Sequence, residues 1–431
     1  MAERAVLACI AGPSGSWAVE DDLAELTELG RSAGADPVAA VLQRHGRYDP
    51  ATLFSSGKVE EIGLAAAAAD ADMVLCNRDL SPRQQERLED ALGRNVIDRT
   101  RLILDIFATR ARSREGRIQV ELAQWLYLLP RLGGLGRELS RTGGGVGVGR
   151  RGPGETKLQS DRRRVRARIS TLQADLAEVA ASRQVRRRGR RRGGLPLIAL
   201  VGYTNAGKST LHRALCASDV LVADALFATL DPTTRLLDLP GNHQALMTDT
   251  VGFIHDLPHS LVAAFSATLE EVCDADLLLE VVDGSHARRH EQRSAVERVL
   301  GELGAANIPR ILIWNKSDLT PVDAAPSAAA DRPTPRVGLP EVHLSSRTGA
   351  GLDELRALIS LTLPDDRQEV RALLPHAAQS LLHVIRRDGE MLSIDYEPQG
   401  VHIVARCSPG LAARVQRAAA GPRAGSEPAP R

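Results

Sequence analysis

Gly202-Tyr203-Thr204-Asn205-Ala206-Gly207-Lys208-Ser209 has the G-x(4)-G-K-S spacing of a phosphate-cradling loop. The residue types set its chemistry. The glycines let backbone N–H groups wrap a polyphosphate, Lys208 reaches the β- and γ-phosphates, and the Ser209 hydroxyl can ligate Mg²⁺. That spacing alone is ambiguous, and three later segments narrow it. In Asp249-Thr250-Val251-Gly252 the Gly252 N–H can donate to a γ-phosphate, while Asp249 holds Mg²⁺ through water. In Asn315-Lys316-Ser317-Asp318 the Asp318 carboxylate can accept both N–H groups of guanine, a pair that adenine does not present. Ser345-Ser346-Arg347 can support the base through backbone N–H groups. The combination implies GTP and GDP as ligands and phosphoryl transfer to water as the reaction. Lys208 and Gly252 are candidate catalytic residues, joined by one threonine that would ligate Mg²⁺. Spacing leaves Thr229, Thr233 and Thr234 as equal candidates for that threonine.

Such residues must be carried at strand ends. Residues 197–201 read as a buried strand feeding the phosphate loop, and a helix starts at Thr210. Further strands are expected at 245–249, 277–282, 310–315 and 342–345, with helices between them. That is a doubly wound P-loop GTPase sheet with its ligand at the carboxyl ends of the strands, expected over residues 195–365. Residues 1–115 alternate predicted strands (5–10, 38–43, 73–76, 95–98) with helices (21–31, 59–69, 82–92, 100–112), an α/β domain with a largely parallel sheet. Residues 366–431 read as a small α+β domain, with a helix over 373–387, a strand pair at 391–396 and 401–406, and a tail from Gly421.

The segment between them differs in kind. Ile118, Leu122, Trp125, Leu126, Leu129 and Leu132 step by threes and fours, and Leu158, Val165, Ile169, Leu172, Leu176 and Val179 form a heptad seam. Residues 116–194 therefore read as an antiparallel helical hairpin. Its tip, residues 133–154, holds ten glycines and four arginines, and a second arginine run, Arg186 to Arg192, reads as a basic linker. Residues 137–192 carry 17 Lys+Arg against 5 Asp+Glu, inside a chain of net charge +1. A basic block in an otherwise acidic protein is the footprint of a polyanion-binding region, and a long Gly/Arg loop at a hairpin tip fits a probe entering an RNA crevice.

The 431 residues are 43% hydrophobic and 25% charged, which excludes a disordered chain, a collagen and a disulfide scaffold. The length suggests about three domains. No apolar run approaches the roughly 18 residues needed to span a bilayer. No signal-peptide core precedes Pro13. These features predict a cytoplasmic protein without a membrane span, with peripheral membrane contact left open. Five scattered cysteines (Cys9, Cys76, Cys216, Cys273, Cys407) read as small core hydrophobes in a reducing compartment. The chain has only four lysines, and two of them, Lys208 and Lys316, lie in the nucleotide motifs.

These runs resemble the HflX family of translational GTPases. The resemblance rests on Gly202–Thr210, on Phe227-Ala228-Thr229-Leu230-Asp231-Pro232-Thr233, and on Asp249-Thr250-Val251-Gly252-Phe253-Ile254. It extends to Asn77–Gln85, Gln119–Gln124, Leu129-Pro130-Arg131 and Gly152–Lys157, covering roughly residues 50–362. It implies that Thr229 is the Mg²⁺ ligand and that Phe227 to Asp231 contact the nucleotide. It also implies a partner, the 50S ribosomal subunit and its rRNA, with the hairpin tip near the peptidyl-transferase region. The implied role is splitting stalled or vacant 70S ribosomes under stress, with GTP binding driving dissociation and hydrolysis driving release. A monomer is expected. The alternative is a GTP-controlled rRNA-binding factor in 50S assembly.

The sequence departs from that family at Ser346, where alanine is usual, in an Ala/Pro-rich insert over residues 320–339, and in its weakly matching first 50 residues. The slot after D-x-x-G, where many GTPases carry a water-orienting glutamine, is Phe253. Slow intrinsic hydrolysis is therefore expected. Asn205 occupies a loop position similar to that of potassium-activated GTPases, which suggests a K⁺ ion offsetting transition-state charge. The competing readings are that Asn205 only stabilises the loop turn, and that the ribosome completes the site.

Overall fold

The computed structural model describes residues 2–12, 19–44, 48–132, 153–193, 195–216, 227, 233–241, 243–255, 271–319, 339–363 and 367–419. The chain forms two compact units. The first comprises residues 1–180 with 223–231 and 255–268, and the second the remainder.

The first unit opens with β1 (Glu3–Ile10), α1 (Val19–Ser32), β2 (Ala35–Gln43), α2 (Ser56–Ala68), β3 (Met73–Cys76), α3 (Pro82–Leu92), β4 (Asn95–Ile97) and α4 (Arg99–Arg110). The strands form a parallel sheet in the order β2-β1-β3-β4. Parallel strands covered on both faces need apolar side chains on both, and β1 is buried from Ala5 to Ile10. Local chemistry fixes the helix ends. Ser81 and Gln84 make a reciprocal capping box at α3, Pro82 occupies its first turn, and Gly93 closes it at φ 62°. The Asp98 carboxylate caps α4 by accepting from the Arg101 N–H.

The helical hairpin follows as α5 (Arg114–Leu128) and α6 (Pro153–Gly193). Ile118 and Leu122 pack against Val165, Ile169 and Leu172, with Trp125, Leu129, Leu132 and Leu176 around them. Arg168 reaches across as a fork to both oxygens of Glu121, at 2.7 and 2.8 Å. Residues 133–152, nearly all of the expected tip loop, lie outside the described residues. The arginine run expected to be a linker is instead helical, because α6 continues to Gly193. Arginine is a good helix former, and the first proline after the run is Pro196.

Two short pieces from the nucleotide-binding part of the sequence belong to this unit. Phe227, with φ 55°, places its ring edge-on to Phe107 of α4 with centroids 4.7 Å apart. The carbonyl of His255 accepts from Arg99, which also pairs with Glu25.

The second unit contains β5 (Leu197–Gly202), α7 (Lys208–Cys216), β6 (Thr233–Leu239), β7 (His243–Asp249), β8 (Leu277–Asp283), α8 (Arg289–Glu302), β9 (Arg310–Asn315), β10 (Glu341–His343) and α9 (Leu352–Thr362). The sheet order is β10-β9-β8-β5-β7-β6. All neighbours are parallel except β6, an antiparallel edge strand on β7. This is the expected doubly wound sheet, with β6 as an unforeseen addition. The short β6 has only Leu237 and Leu239 buried, so it lacks the continuous apolar run of a central strand. Ile198, Leu200, Leu211, Leu277, Leu279, Ile311, Ile313, Leu355 and Ile359 form the core. Burial of each such side chain stabilises the fold by about 1.5–3 kcal/mol.

The chain ends in β11 (Gln368–Leu374), a 3₁₀ turn (His376–Ala378), α10 (Ser380–Asp388), β12 (Glu390–Glu397), β13 (Gly400–Cys407) and α11 (Pro409–Ala419). The strands form an antiparallel sheet in the order β11-β13-β12. The helix expected from residue 373 begins only at Ser380. Val370, Ala372 and Leu374 are buried at period two and form a strand, which Pro375 ends. Helix α11 was not anticipated. Of the five cysteines expected in cores, Cys9, Cys76 and Cys407 are buried, Cys216 is intermediate and Cys273 is exposed.

Candidate nucleotide-binding site

The phosphate loop leaves β5 at Gly202 and enters α7 at Lys208. Its shape is set by neighbours at the carboxyl edge of the sheet. Asn315, the last residue of β9, donates from Nδ2 to the Ala206 carbonyl at 2.8 Å and accepts at Oδ1 from the Ser346 N–H at 3.0 Å. One buried carboxamide thus joins the phosphate loop to the segments 315–318 and 345–347. Gly207 makes this possible. It has φ 94°, and a Cβ there would sit 2.2 Å from Asn315 Nδ2.

The ammonium of Lys208 is buried and donates to the carbonyls of Gly202 (3.1 Å) and Tyr203 (2.9 Å). Burial lowers its pKa to about 8, partly countered by the Asp249 carboxylate. Asp249 ends β7 and stands in register with Leu200 of β5, so it is held beside the start of the loop. Thr250 anchors the turn after it, donating from Oγ1 to the Leu200 carbonyl at 2.5 Å.

Gly252 lies directly against the phosphate loop. A Cβ on it would come within 2.8 Å of Thr204 Cγ2 and 2.9 Å of Lys208 Nζ, so only hydrogen fits. Phe253 holds it there. The Phe253 N–H donates to the Gly202 carbonyl at 3.1 Å, and the Phe253 carbonyl accepts from the Thr204 N–H at 2.7 Å. The Phe253 side chain is buried, so this residue serves as a clamp of the D-x-x-G turn to the loop.

At the base-recognition end, Lys316 has φ 61° and pairs its Nζ with Asp283 Oδ2 at 2.7 Å. Burial would raise the Asp283 carboxyl, but hydrogen bonds from Lys316 and Ser285 outweigh it and hold the pKa below the usual value. Asp318 Oδ1 accepts from the Ser345 hydroxyl at 2.6 Å, and Ser345 Oγ in turn accepts from the Thr348 N–H at 3.2 Å. The Ser317 N–H donates to the Leu344 carbonyl at 3.2 Å. Arg347 is exposed at the rim.

The second unit therefore brings together residues 202–209, 249–252, 315–318 and 345–347. Asn205 is exposed with φ 60°. Thr233 and Thr234 open β6, paired with Asp249 and Thr248. Phe227 lies in the first unit against Phe107, and Ala228, Thr229, Leu230 and Asp231 lie outside the described residues. Asp283 was missed in the sequence. Its only signal was an acid closing a strand that is apolar except for Glu280. The clamping geometry of Phe253 was also missed, since residue type alone marks only a missing glutamine.

Three family models match in succession: a GTP-binding GTPase N-terminal region over residues 20–108, its middle region over 110–190, and a 50S ribosome-binding GTPase over 197–316. The chain is 44% identical to a GTPase HflX of Caldanaerobacter subterraneus over 404 residues, covering 94% of this chain and 90% of that one. It is 41% identical to the GTPase HflX of Escherichia coli K12 over 381 residues, covering 88% and 86%. Among solved structures it is similar to a GTP-binding protein of Sulfolobus solfataricus in complex with GDP, at 22% identity and a TM-score of 0.43, covering 84% of this chain and 98% of that one. With the guanine and phosphate motifs converging on one sheet edge and such relatives spanning nearly its whole length, the chain is a GTPase and belongs to the HflX family.

Proposed function

We propose that the protein binds the 50S ribosomal subunit through its helical hairpin and splits stalled or vacant 70S particles, with GTP binding driving dissociation and hydrolysis timing release. The observation that carries this reading is the division of faces on α6. Val165, Ile169 and Leu172 are buried against α5, while Arg163, Arg164 and Arg166 are exposed. A rigid rod with a basic outer face suits the phosphate backbone of rRNA. The family description "50S ribosome-binding GTPase" supports the same partner.

In the reaction, water attacks the γ-phosphorus and GDP departs. Lys208 and the Gly252 N–H stabilise the γ-phosphoryl oxygens, and Asp318 selects guanine. The Ser209 hydroxyl and the Asp249 carboxylate are hard oxygen groups that fit Mg²⁺ and would hold it, with the Thr229 hydroxyl as the further ligand that the family resemblance implies. When bound, the ion neutralises charge on the β- and γ-phosphates. Asn205 would help hold a K⁺ ion that offsets transition-state charge. Equal hydrolysis in Na⁺ and K⁺, on and off ribosomes, would remove that role.

The test is sucrose-gradient sedimentation of vacant 70S ribosomes with the protein and a non-hydrolysable GTP analogue, beside a GDP control and a version lacking residues 133–154. Conversion to subunits only with the analogue and the intact loop is expected. Intact 70S with the protein on free 50S subunits would replace splitting by an assembly role.

A further inference from the structure

We propose that Thr204 is a further catalytic residue, its hydroxyl donating a hydrogen bond to the γ-phosphoryl group during hydrolysis. The phosphate loop holds an unbalanced polar group. Thr204 is 94% buried, judged from its 6% exposure, and its Oγ1 has no hydrogen-bond partner among the described residues. Its backbone N–H is already engaged by the Phe253 carbonyl at 2.7 Å. The hydroxyl is therefore the polar donor that this residue has left to offer. A buried hydroxyl without a partner destabilises the folded protein, and valine would fill nearly the same space without that penalty. Threonine here needs a reason outside the fold.

Its position supplies one. The Thr204 side chain and Lys208 Nζ both crowd the Cα of Gly252, as the close approaches to a Cβ built there demonstrate. Gly252 and Lys208 are the two groups that address the γ-phosphate. Thr204 is thus adjacent to Gly252, beside Lys208 Nζ. Phe253 occupies the slot where glutamine would orient water, and its buried ring carries no polar group. The Thr204 methyl is held against Gly252, and the hydroxyl on the same Cβ adds a preorganised donor where the site is otherwise one polar group short.

The step balances without a co-reactant. The water oxygen bonds to the γ-phosphorus, and the bond to the β–γ bridging oxygen breaks with its electron pair leaving on GDP. One water proton ends on the released phosphate. Thr204 keeps its proton and only donates a hydrogen bond.

The test uses the full-length protein with Thr204→Val and Thr204→Ser, measured for single-turnover GTP hydrolysis, GDP affinity and thermal unfolding. Thr204→Val is expected to slow hydrolysis by at least about tenfold. Its GDP affinity should stay within about twofold of the parent and its unfolding temperature should be equal or higher, as loss of an unpaired buried hydroxyl requires. Thr204→Ser, which retains the hydroxyl, should hydrolyse within about threefold of the parent. The assignment is overturned if Thr204→Val hydrolyses GTP at the parental rate. It is equally overturned if GDP affinity falls as far as the rate, or if Thr204→Ser is as slow as Thr204→Val, since either result makes the role one of shape.

Discussion

Arg131, at the end of the first hairpin helix, places its guanidinium 2.9 Å from the fully buried carboxylate of Asp98, the cap of α4. The same guanidinium donates to the Leu80 carbonyl at 2.6 Å and to Gln85 at 3.1 Å, and lies over the Tyr127 ring 3.5 Å from its centroid. The Tyr127 hydroxyl returns to Asp98 at 3.0 Å. The chain thus enters the glycine-rich tip from a fixed seat. Removing the arginine leaves a buried carboxylate short of its charge partner, so Arg131→Ala should destabilise the N-terminal unit by about 3 kcal/mol. Denaturant unfolding measures this, and a loss below about 1 kcal/mol would show that the seat is not held by the ion pair. GDP affinity should be unchanged.

The ammonium of Lys208 makes nucleotide binding depend on pH in a particular direction. With a pKa lowered to about 8 by burial, Lys208 is charged below that pH and increasingly neutral above it. Phosphates favour the charged form, so binding above pH 8 must take up a proton. Affinity for GDP should be flat from pH 6.5 to 7.5 and fall about tenfold by pH 9. Calorimetry at pH 8.5 in buffers of different ionisation enthalpy should register net proton uptake. Lys208→Arg keeps its charge through this range and should lose the pH dependence even where it binds more weakly. Identical enthalpies in all buffers would refute the linkage.

Asn315 predicts a loss far larger than that of a single exposed contact. Asn315→Ala removes the bonds to the Ala206 carbonyl and the Ser346 N–H together, leaving two buried backbone groups unpaired. GDP affinity should fall by at least about 30-fold, at 1–3 kcal/mol per orphaned group. Gly207→Ala, whose new methyl would collide with Asn315 Nδ2, should bind no more tightly than Asn315→Ala. A fluorescent GDP titration measures both.

Asp318 predicts an exchange of specificity. Its carboxylate is already oriented by the Ser345 hydroxyl. Asp318→Asn converts an acceptor pair into one acceptor and one donor. That change disfavours guanine and favours a base with a carbonyl in place of the exocyclic amine. Hydrolysis of GTP should drop by at least about 100-fold, and xanthosine triphosphate should become the better substrate. Unchanged preference for GTP would show that Asp318 does not read the base.

Much of the α/β architecture was legible in the amino-acid sequence, and the reasons are local. Central parallel strands such as Leu197–Gly202 are continuous apolar runs, and helices such as Pro82–Leu92 carry start signals in Ser81 and Pro82 and a stop signal in Gly93. The order of the nucleotide motifs is equally linear. Where the pattern was weak the reading failed. The edge strand Thr233–Leu239 buries only two of its leucines, the strand Gln368–Leu374 overlaps the expected helix at residues 373 and 374, and the arginine run expected as a linker is helical to Gly193.

The tertiary structure alone decided which partners those motifs meet. Asn315 lies 109 residues from Ala206, and Arg131 lies 33 from Asp98, yet each pair is bonded. No sequence periodicity carries such information, because it depends on which strand ends the crossovers bring side by side. The same holds for Phe253. Its residue type announces only a missing glutamine, while its two backbone bonds to Gly202 and Thr204 turn the residue after D-x-x-G into a clamp. Sequence determined the chemistry available at this sheet edge. Folding determined which donors are engaged and which, like the Thr204 hydroxyl, find no partner among the described residues.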